Sequence, residues 1–209
     1  MDSTKFLLYT IFIALANNVD NIGARIAYSI RGIKITTAIN LWISVITFII
    51  SAFAAYSGTL MSEFFSKQLS SAISMVLLTA IGLWIIVEPY IKRNNDFVKE
   101  PPDEARKKGI WSVFFNPVHA DMDNSKHIDF KEATVLGIAL SINNIGGGLG
   151  AGLIGLNSLL VGLFSAVISF LALWAGNYIT EYFVKWKLGN VATILAGSVL
   201  IAIGIEQIL

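Results

Sequence analysis

Four polar residues stand together inside the first apolar run of this 209-residue chain: Asn17, Asn18, Asp20 and Asn21. One carboxylate with several amide oxygens is a hard-oxygen environment, better suited to Mn²⁺, Mg²⁺ or Ca²⁺ than to soft metals. The run begins near residue 5, so a helix crossing a bilayer would carry Asp20 to about mid-membrane. A carboxylate there is costly in lipid and marks a functional site by default. On one continuous helix, positions 17, 20 and 21 are spaced i, i+3 and i+4 and share a face. A second polar set, Ser141, Asn143 and Asn144, lies in a later apolar run. Packed about a pseudo-two-fold axis, the two runs would set Asp20 opposite Asn143 and line an ion path with the other amides and the hydroxyl. The plainer reading of the same residues is amide hydrogen bonding between helices, the glue of many membrane bundles.

A second constellation runs from Asp121 to Glu132. Asp121, Asp123, Ser125, Asp129 and Glu132 stand at positions 1, 3, 5, 9 and 12 of a twelve-residue EF-hand spacing, with His127 at position 7 and Ile128 at position 8. Alternate residues of such a coil point inward, and the last glutamate clamps the ion with both oxygens. Ca²⁺ or Mn²⁺ is the expected ligand. Lys126 holds position 6, where glycine normally permits the sharp turn, and Asn116-Pro117 leaves no clear entering helix. The alternative is an acidic, solvated turn that caps the following helix.

The elements that must position these residues are membrane helices. Hydrophobic residues make up 55% of the chain and charged ones 14%, with a mean hydropathy of +0.69. These values fit an integral membrane protein and would be odd for a soluble one. The absence of cysteine excludes disulfides, thiolate metal sites and cysteine nucleophiles. Both histidines, His119 and His127, lie in one loop, which excludes a buried histidine metal cluster. A net charge of +1 argues against a nucleic-acid partner. The run Phe6 to Ala16 continues past the polar cluster and reads as a span, not a cleaved signal. The expected partners are the lipid bilayer and metal ions, and a homodimer is left open.

Six spans are expected, at roughly 5–30, 36–61, 71–91, 133–156, 158–180 and 189–208, each long enough for about 30 Å of hydrocarbon. They arise by duplication. Asp20-Asn21-Ile22-Gly23 recurs as Asn143-Asn144-Ile145-Gly146, 123 positions later, and Gly32 recurs as Gly155. Gly58, Glu63, Phe65, Lys67 and Glu88 recur as Gly176, Glu181, Phe183, Lys185 and Glu206, 118 positions later. Three spans per half is an odd number, so the second half enters from the opposite side, as in inverted-repeat transporters with midplane sites. The fold class is thus all-α and integral to the membrane, six helices as two inverted-topology three-helix repeats. Residues 1–91 form the first repeat, 92–131 a linker carrying most of the 121–132 loop, and 132–209 the second repeat. Lys5 and Lys67 lie on the N-terminal side. Arg31, Lys34, Lys92, Arg93, Lys185, Lys187 and the linker lysines and arginines lie on the other. That side is therefore cytoplasmic, in the cell membrane, with both termini outside.

Other residues carry open alternatives. Arg25, about 140° around the helix from Asp20, either snorkels toward the cytoplasmic side or acts as a fixed counter-charge. The glycines from Gly146 to Gly155 allow close packing, or let the helix unwind and offer carbonyls to an ion. Thr47 and Ser51 match Ser165 and Ser169; these hydroxyls line the path or bond back to their own helices. Glu88 and Glu206 gate the ends or merely terminate helices. Pro101-Pro102 and the nearby basic residues read as a solvated linker, and Ile110 to Phe115 as an interfacial segment or a loop tucked against the bundle.

The paired motif, the glycine-rich fourth span and the segment Pro117-Val-His-Ala120-Asp121-Met-Asp123-Asn-Ser125 together resemble the YtaF-type sporulation membrane proteins, over the whole chain. Those are similar to MntP-type manganese efflux pumps, within the LysE-like exporters. The resemblance implies a six-helix fold and divalent-cation transport, with an aspartate in each of the first and fourth helices. Asp20 falls on the first of these positions and Asn143 on the second, a departure from the pattern. No Asp or Glu occurs from 21 to 62 or from 133 to 180. Two functions follow as expectations: a divalent-cation transporter, exporting Mn²⁺ or a similar ion by alternating access, or a non-transporting sporulation membrane protein with a structural or Ca²⁺-responsive role. An enzyme is not expected, because one central acid without histidine or cysteine supplies no acid–base pair.

Overall fold

The computed structural model describes residues 3–95, 112–113, 117–186 and 188–206. Among these the chain is helical, without a strand: α1 (Ser3–Asn17), α2 (Val19–Arg31), α3 (Thr37–Phe64), α4 (Lys67–Asn95), a 3-10 turn (Pro117–Ala120), α5 (Phe130–Leu140), α6 (Ile142–Leu153), α7 (Ser158–Trp186) and α8 (Leu188–Glu206). The chain is a multi-pass membrane protein. Four stretches are long and apolar enough to cross a bilayer: Thr4–Ser29, Thr37–Phe64, Lys67–Val87 and Ser158–Ala175. The α5–α6 pair, bent by 47°, makes a fifth if it is one span, and Ile194–Glu206 is a shorter apolar helix.

The bundle is apolar outside and polar within, the reverse of a soluble domain. Phe53 is 71% exposed, Leu159 65% and Leu195 62%, while Asn18, Asn21, Thr47, Asn144 and Ser169 are buried. The interior has three levels. One apolar cluster gathers Tyr9, Ile13, Ala16, Ala55, Ala151 and Val161. Another gathers Ala24, Tyr28, Ile43, Leu140 and Leu173. On each of the four paths the polar residues lie between the two clusters: 17–21 in α1–α2, 47 and 51 in α3, 141–144 in α5–α6, 165 and 169 in α7.

The first span is not the continuous helix expected, and the fourth is broken as well. Both breaks share one local feature. Asn18 turns its side chain back, and Nδ2 takes the carbonyl of Ala14 at 2.8 Å. The backbone N–H of Asn18 is left to the nearer Leu15 carbonyl at 3.2 Å. At the position 123 residues later, Ser141 Oγ donates to the Gly137 carbonyl at 2.7 Å. The Ser141 N–H is shared between Gly137 and Ile138 at 3.0 and 3.1 Å. A polar side chain competing for the i−4 carbonyl loosens the helix at that turn. Each helix then resumes, with Asn21 N–H bonded to Asn18 O at 3.2 Å and Asn144 N–H to Ser141 O at 3.1 Å.

The far ends match too. Gly32 and Gly155 have φ of 71° and 82°, the left-handed conformation that favours glycine. Gly32 N–H bonds Ser29 O and Ile33 N–H bonds Tyr28 O; Gly155 and Leu156 repeat this on Gly152 and Ala151. The glycines of α6 remain helical and serve packing. A Cβ at Gly152 would strike the Ala55 carbonyl, and one at Gly148 would lie 2.8 Å from Ala54 Cβ. Of the two alternatives for these glycines the packing one is seen, and the helix instead breaks at Ser141, ahead of them.

Candidate ion site

The two breaks meet. Asn143 Nδ2 donates to Asp20 Oδ2 at 3.0 Å, the facing expected from the repeat. Asn21 Nδ2 donates to Asn18 Oδ1 at 3.1 Å and to Ser169 Oγ at 2.9 Å. Asn18 Nδ2 lies 3.5 Å from Asn144 Oδ1. Thr47 Oγ1 and Ser141 Oγ share a hydrogen bond of 3.1 Å, with Ser169 Oγ 3.4 Å from Thr47. All seven residues of the expected ion path therefore border one polar layer. Asn17, Asn18, Asn21, Ser141 and Asn144 are fully buried, and Asp20 and Asn143 are half-buried.

One expectation fails. Asn17, Asp20 and Asn21 do not lie on one uninterrupted helix, because Asn17 ends α1 while Asp20 and Asn21 open α2. The Asn17 amide instead lies against Gly147, where any Cβ would collide with it. The break has electrostatic consequences. Asp20 sits in the first turn of α2, where the positive end of the helix dipole stabilises a carboxylate. The C-terminal turn of α1 faces the same layer with its partial negative charge, which favours a cation. Buried amide oxygens complete the donor set: Asn17 Oδ1 and Asn21 Oδ1 have no hydrogen-bond partner among the described residues.

Arg25 reaches toward the end of α2, as snorkelling requires, but stays buried at 3% exposure with Nη1 3.5 Å from the Ile33 carbonyl. It ends beneath the connecting loop, not in solvent. Val113, Ala120 and Ile128 join Tyr28 and Ile33 in the core, so this part of the connector folds back on the bundle. Val113 overturns the interfacial placement for itself; the rest of 110–115, apart from Ser112, lies outside the described residues, as do residues 96–111 of the linker.

The 121–132 loop is ordered by its own backbone. Asp121 accepts from Ser125 N–H and Lys126 N–H at 3.0 and 3.1 Å, and Asp123 from Ser125 N–H at 2.9 Å. Hydrogen bonds from Ser125 hold the exposed Asp123 carboxyl below the usual carboxylate range. Lys126 adopts φ 61°, the conformation an EF-hand gives to glycine. Asp129 caps α5 and forms a capping box with Glu132, as expected of a glutamate opening a helix. The Glu132 carboxylate also accepts from Met122 N–H at 2.7 Å. The six expected ligands do not converge. Only Asp121, Asp123 and Glu132 bring carboxylate oxygens within 4.8 Å of one another. Ser125 Oγ is spent on the His127 carbonyl at 2.9 Å, and Asp129 on its cap.

Sequence reasoning missed two contacts. Lys34 pairs with the loop, its N–H donating to Lys126 O at 2.9 Å and its carbonyl accepting from Ile128 N–H at 3.2 Å. Lys5 Nζ lies 3.2 Å from Glu206 Oε1 and ties α1 to α8. Glu206 therefore does more than end its helix; the Glu88 side chain lies outside the described residues. Backbone pairing such as that of Lys34 leaves no mark on residue type. The Lys5–Glu206 pair follows only once the first and last helices are known to be neighbours.

Comparison with known proteins fits this architecture. A family model described as "Putative manganese efflux pump" matches residues 33–209. The chain is 26% identical over 204 residues to the "Probable sporulation protein YtaF" of Bacillus subtilis (strain 168), covering 95% of this chain and 97% of that one. It is 32% identical over 101 residues to the "Putative manganese efflux pump MntP" of Corynebacterium glutamicum (strain R), covering 46% of this chain and 50% of that one. No solved structure matches.

Proposed function

The chain belongs to the manganese efflux pump family, and from that premise we propose that it transports divalent cations, Mn²⁺ or a similar ion, out of the cell. The carrying observation is the meeting of two broken helices at one half-buried carboxylate, Asp20, opposite Asn143 at 3.0 Å. Discontinuous helices facing each other at mid-membrane are the usual plan of transporter sites. Asp20 is the principal ligand, and Asn17, Asn18, Asn21, Ser141, Asn143 and Asn144 supply neutral donors. The reading takes six spans, with α8 as the sixth, in two inverted halves that rock about the layer. Both termini lie outside and the 92–131 connector in the cytoplasm, following the lysine and arginine bias.

The 121–132 loop then holds a second divalent ion, Ca²⁺ or Mn²⁺, through Asp121, Asp123 and Glu132. It stands against the cytoplasmic end of α2, where Lys34 docks it.

A second reading is favoured by one observation. Where the resemblance implies a second aspartate, Asn143 donates its amide N–H to Asp20. An Asp20 that already accepts an amide N–H from within the protein suits a fold that keeps the pump architecture in a structural role, and the Bacillus subtilis relative is named for sporulation. Mn²⁺ flux into proteoliposomes separates the two readings. Flux in the wild type that is lost in Asp20→Asn supports transport; no flux under any gradient supports the structural role.

A further inference from the structure

Four buried polar atoms in the layer have no hydrogen-bond partner among the described residues and lie to one side of the Asp20–Asn143 pair. They are Ser51 Oγ, Ser165 Oγ, Asn17 Oδ1 and Asn144 Nδ2, on residues no more than 2% exposed.

Their common location follows from packing. Gly162 of α7 meets Phe48 and Ala52 of α3, with a Cβ there 2.7 Å from Ala52 Cβ, while Thr47 meets Ser169 at 3.4 Å. Rising numbers on α3 thus match falling numbers on α7, and the helices are antiparallel. Ser51 is one turn beyond Thr47, and Ser165 one turn before Ser169. Both steps therefore lead the same way, between the Thr47–Ser169 and Ala52–Gly162 contacts. The α6 turn from Asn144 to Gly148 borders this place. A Cβ at Gly148 would lie 3.1 Å from the Ser51 carbonyl, and Gly147 seats the Asn17 amide. The direction is set by the cores: from Ser51 the helix leads to Ala55, and from Ser165 back to Val161, both in the cluster that holds Tyr9 and Ile13 of α1. The group lies toward the side on which the chain begins, the outer face under the orientation proposed above.

The same hydroxyls differ one turn away. Thr47 Oγ1 bonds back to the Ile43 carbonyl at 3.1 Å and also meets Ser141, which is how membrane hydroxyls ordinarily satisfy themselves. Ser51 and Ser165 do neither. Buried hydroxyls and amides without partners are destabilising, and polar groups in that state hold water or a ligand. The group carries no charge, whereas Asp20 carries the carboxylate of the layer. Hydroxyl and amide oxygens bind a divalent ion weakly and leave it part of its water shell.

We propose that Ser51 and Ser165, with the Asn17 amide oxygen, form a second, uncharged cation station, which receives the partly hydrated divalent ion from Asp20 and passes it outward. The station rests on the transport reading. A weak station beyond a charged one gives the ion a place to regain water before it leaves, so that release from the carboxylate is not a single steep step.

The test is Mn²⁺ flux in proteoliposomes for the wild type and the double variant Ser51→Ala/Ser165→Ala, with equilibrium Mn²⁺ binding and thermal midpoint measured on both purified proteins. Maximal flux should fall about tenfold, the size of one modest interaction lost in the limiting step. Binding should stay within about twofold, because Asp20 is untouched. The midpoint should hold or rise, because two unpartnered hydroxyls are gone. Unchanged maximal flux in the variant would sink the station while leaving transport intact. Loss of binding in step with flux would place the serines in the Asp20 centre itself, and a lowered midpoint would make them structural; either removes the station. A wild type without flux removes the transport reading and the station together.

Discussion

The first half of the bundle puts Asn18, Asp20 and Asn21 at its helix break; the second half puts Ser141, Asn143 and Asn144 at the equivalent turn. The backbones share two local features, although only the α5–α6 pair carries a 47° bend while Thr4–Ser29 makes one span. Each break begins with a side chain on the i−4 carbonyl, at 2.8 and 2.7 Å, and each half ends its second segment on a left-handed glycine. The charges do not agree, since one half holds a carboxylate where the other holds an amide. Geometry and charge are thus set by different residues. Asn18 and Ser141 stand at the breaks, and Asp20 and Asn143 set the charge beside them.

Making the halves alike in charge breaks the comparison most severely. Asp20→Asn leaves two amides facing each other and no anion in the layer, and Mn²⁺ flux should fall about 100-fold or more, equivalent to roughly 3 kcal/mol. Asn143→Asp tests the opposite equality. Two carboxylates about 3 Å apart repel without an ion, so the ion-free protein should lose about 1–3 kcal/mol of stability while Mn²⁺ binds roughly tenfold tighter. A larger Mn²⁺-dependent rise in thermal midpoint than in the wild type would report both effects. No change in that rise would mean the two positions do not share an ion.

The glycine caps sharpen the comparison on its geometric side. A Cβ would meet nothing within 4 Å at either Gly32 or Gly155. Alanine at each therefore pays only for left-handed backbone, about 1–2 kcal/mol. Thermal unfolding in detergent should show nearly equal losses for Gly32→Ala and Gly155→Ala. A clear inequality would mean the caps bear different loads and the halves are less alike than their backbones.

Much of this was legible in the residues. The 123-position recurrence that pairs Asp20 with Asn143 also pairs Gly32 with Gly155, and both pairs behave alike in the structure. The breaks were not legible. An asparagine in an apolar run reads equally as an interhelical donor or as a side chain turned on its own backbone, and a break of one residue hardly disturbs helical periodicity. Ser51 and Ser165 were visible as a matched set with Thr47 and Ser169, yet only packing separates the hydroxyls that bond back from those that do not. In the loop the carboxylate spacing was readable. Convergence was not, because Asp129 serves the α5 N-terminus and Glu132 reaches back to Met122 N–H, choices fixed by where the helix starts.

The loop offers the smallest and most local test, set against the caps. Gly32 and Gly155 hold left-handed backbone with glycine, while Lys126 holds it with a long side chain at φ 61°. Lys126 also adds a positive charge to the loop that carries Asp121 and Asp123. Lys126→Gly keeps the N–H that Asp121 accepts, relieves the conformation by about 1 kcal/mol and removes the charge. Stability should rise by about that amount, offset in part by the greater freedom of glycine in the unfolded chain. If Asp121, Asp123 and Glu132 hold a divalent ion, Ca²⁺ should bind several-fold tighter in the variant, read by titration calorimetry in the presence of Asp20→Asn to silence the membrane layer. Greater stability without Ca²⁺ heat would make the loop a capping and docking device held by Lys34. Heat of binding would give the C-terminal end of α2 an ion of its own.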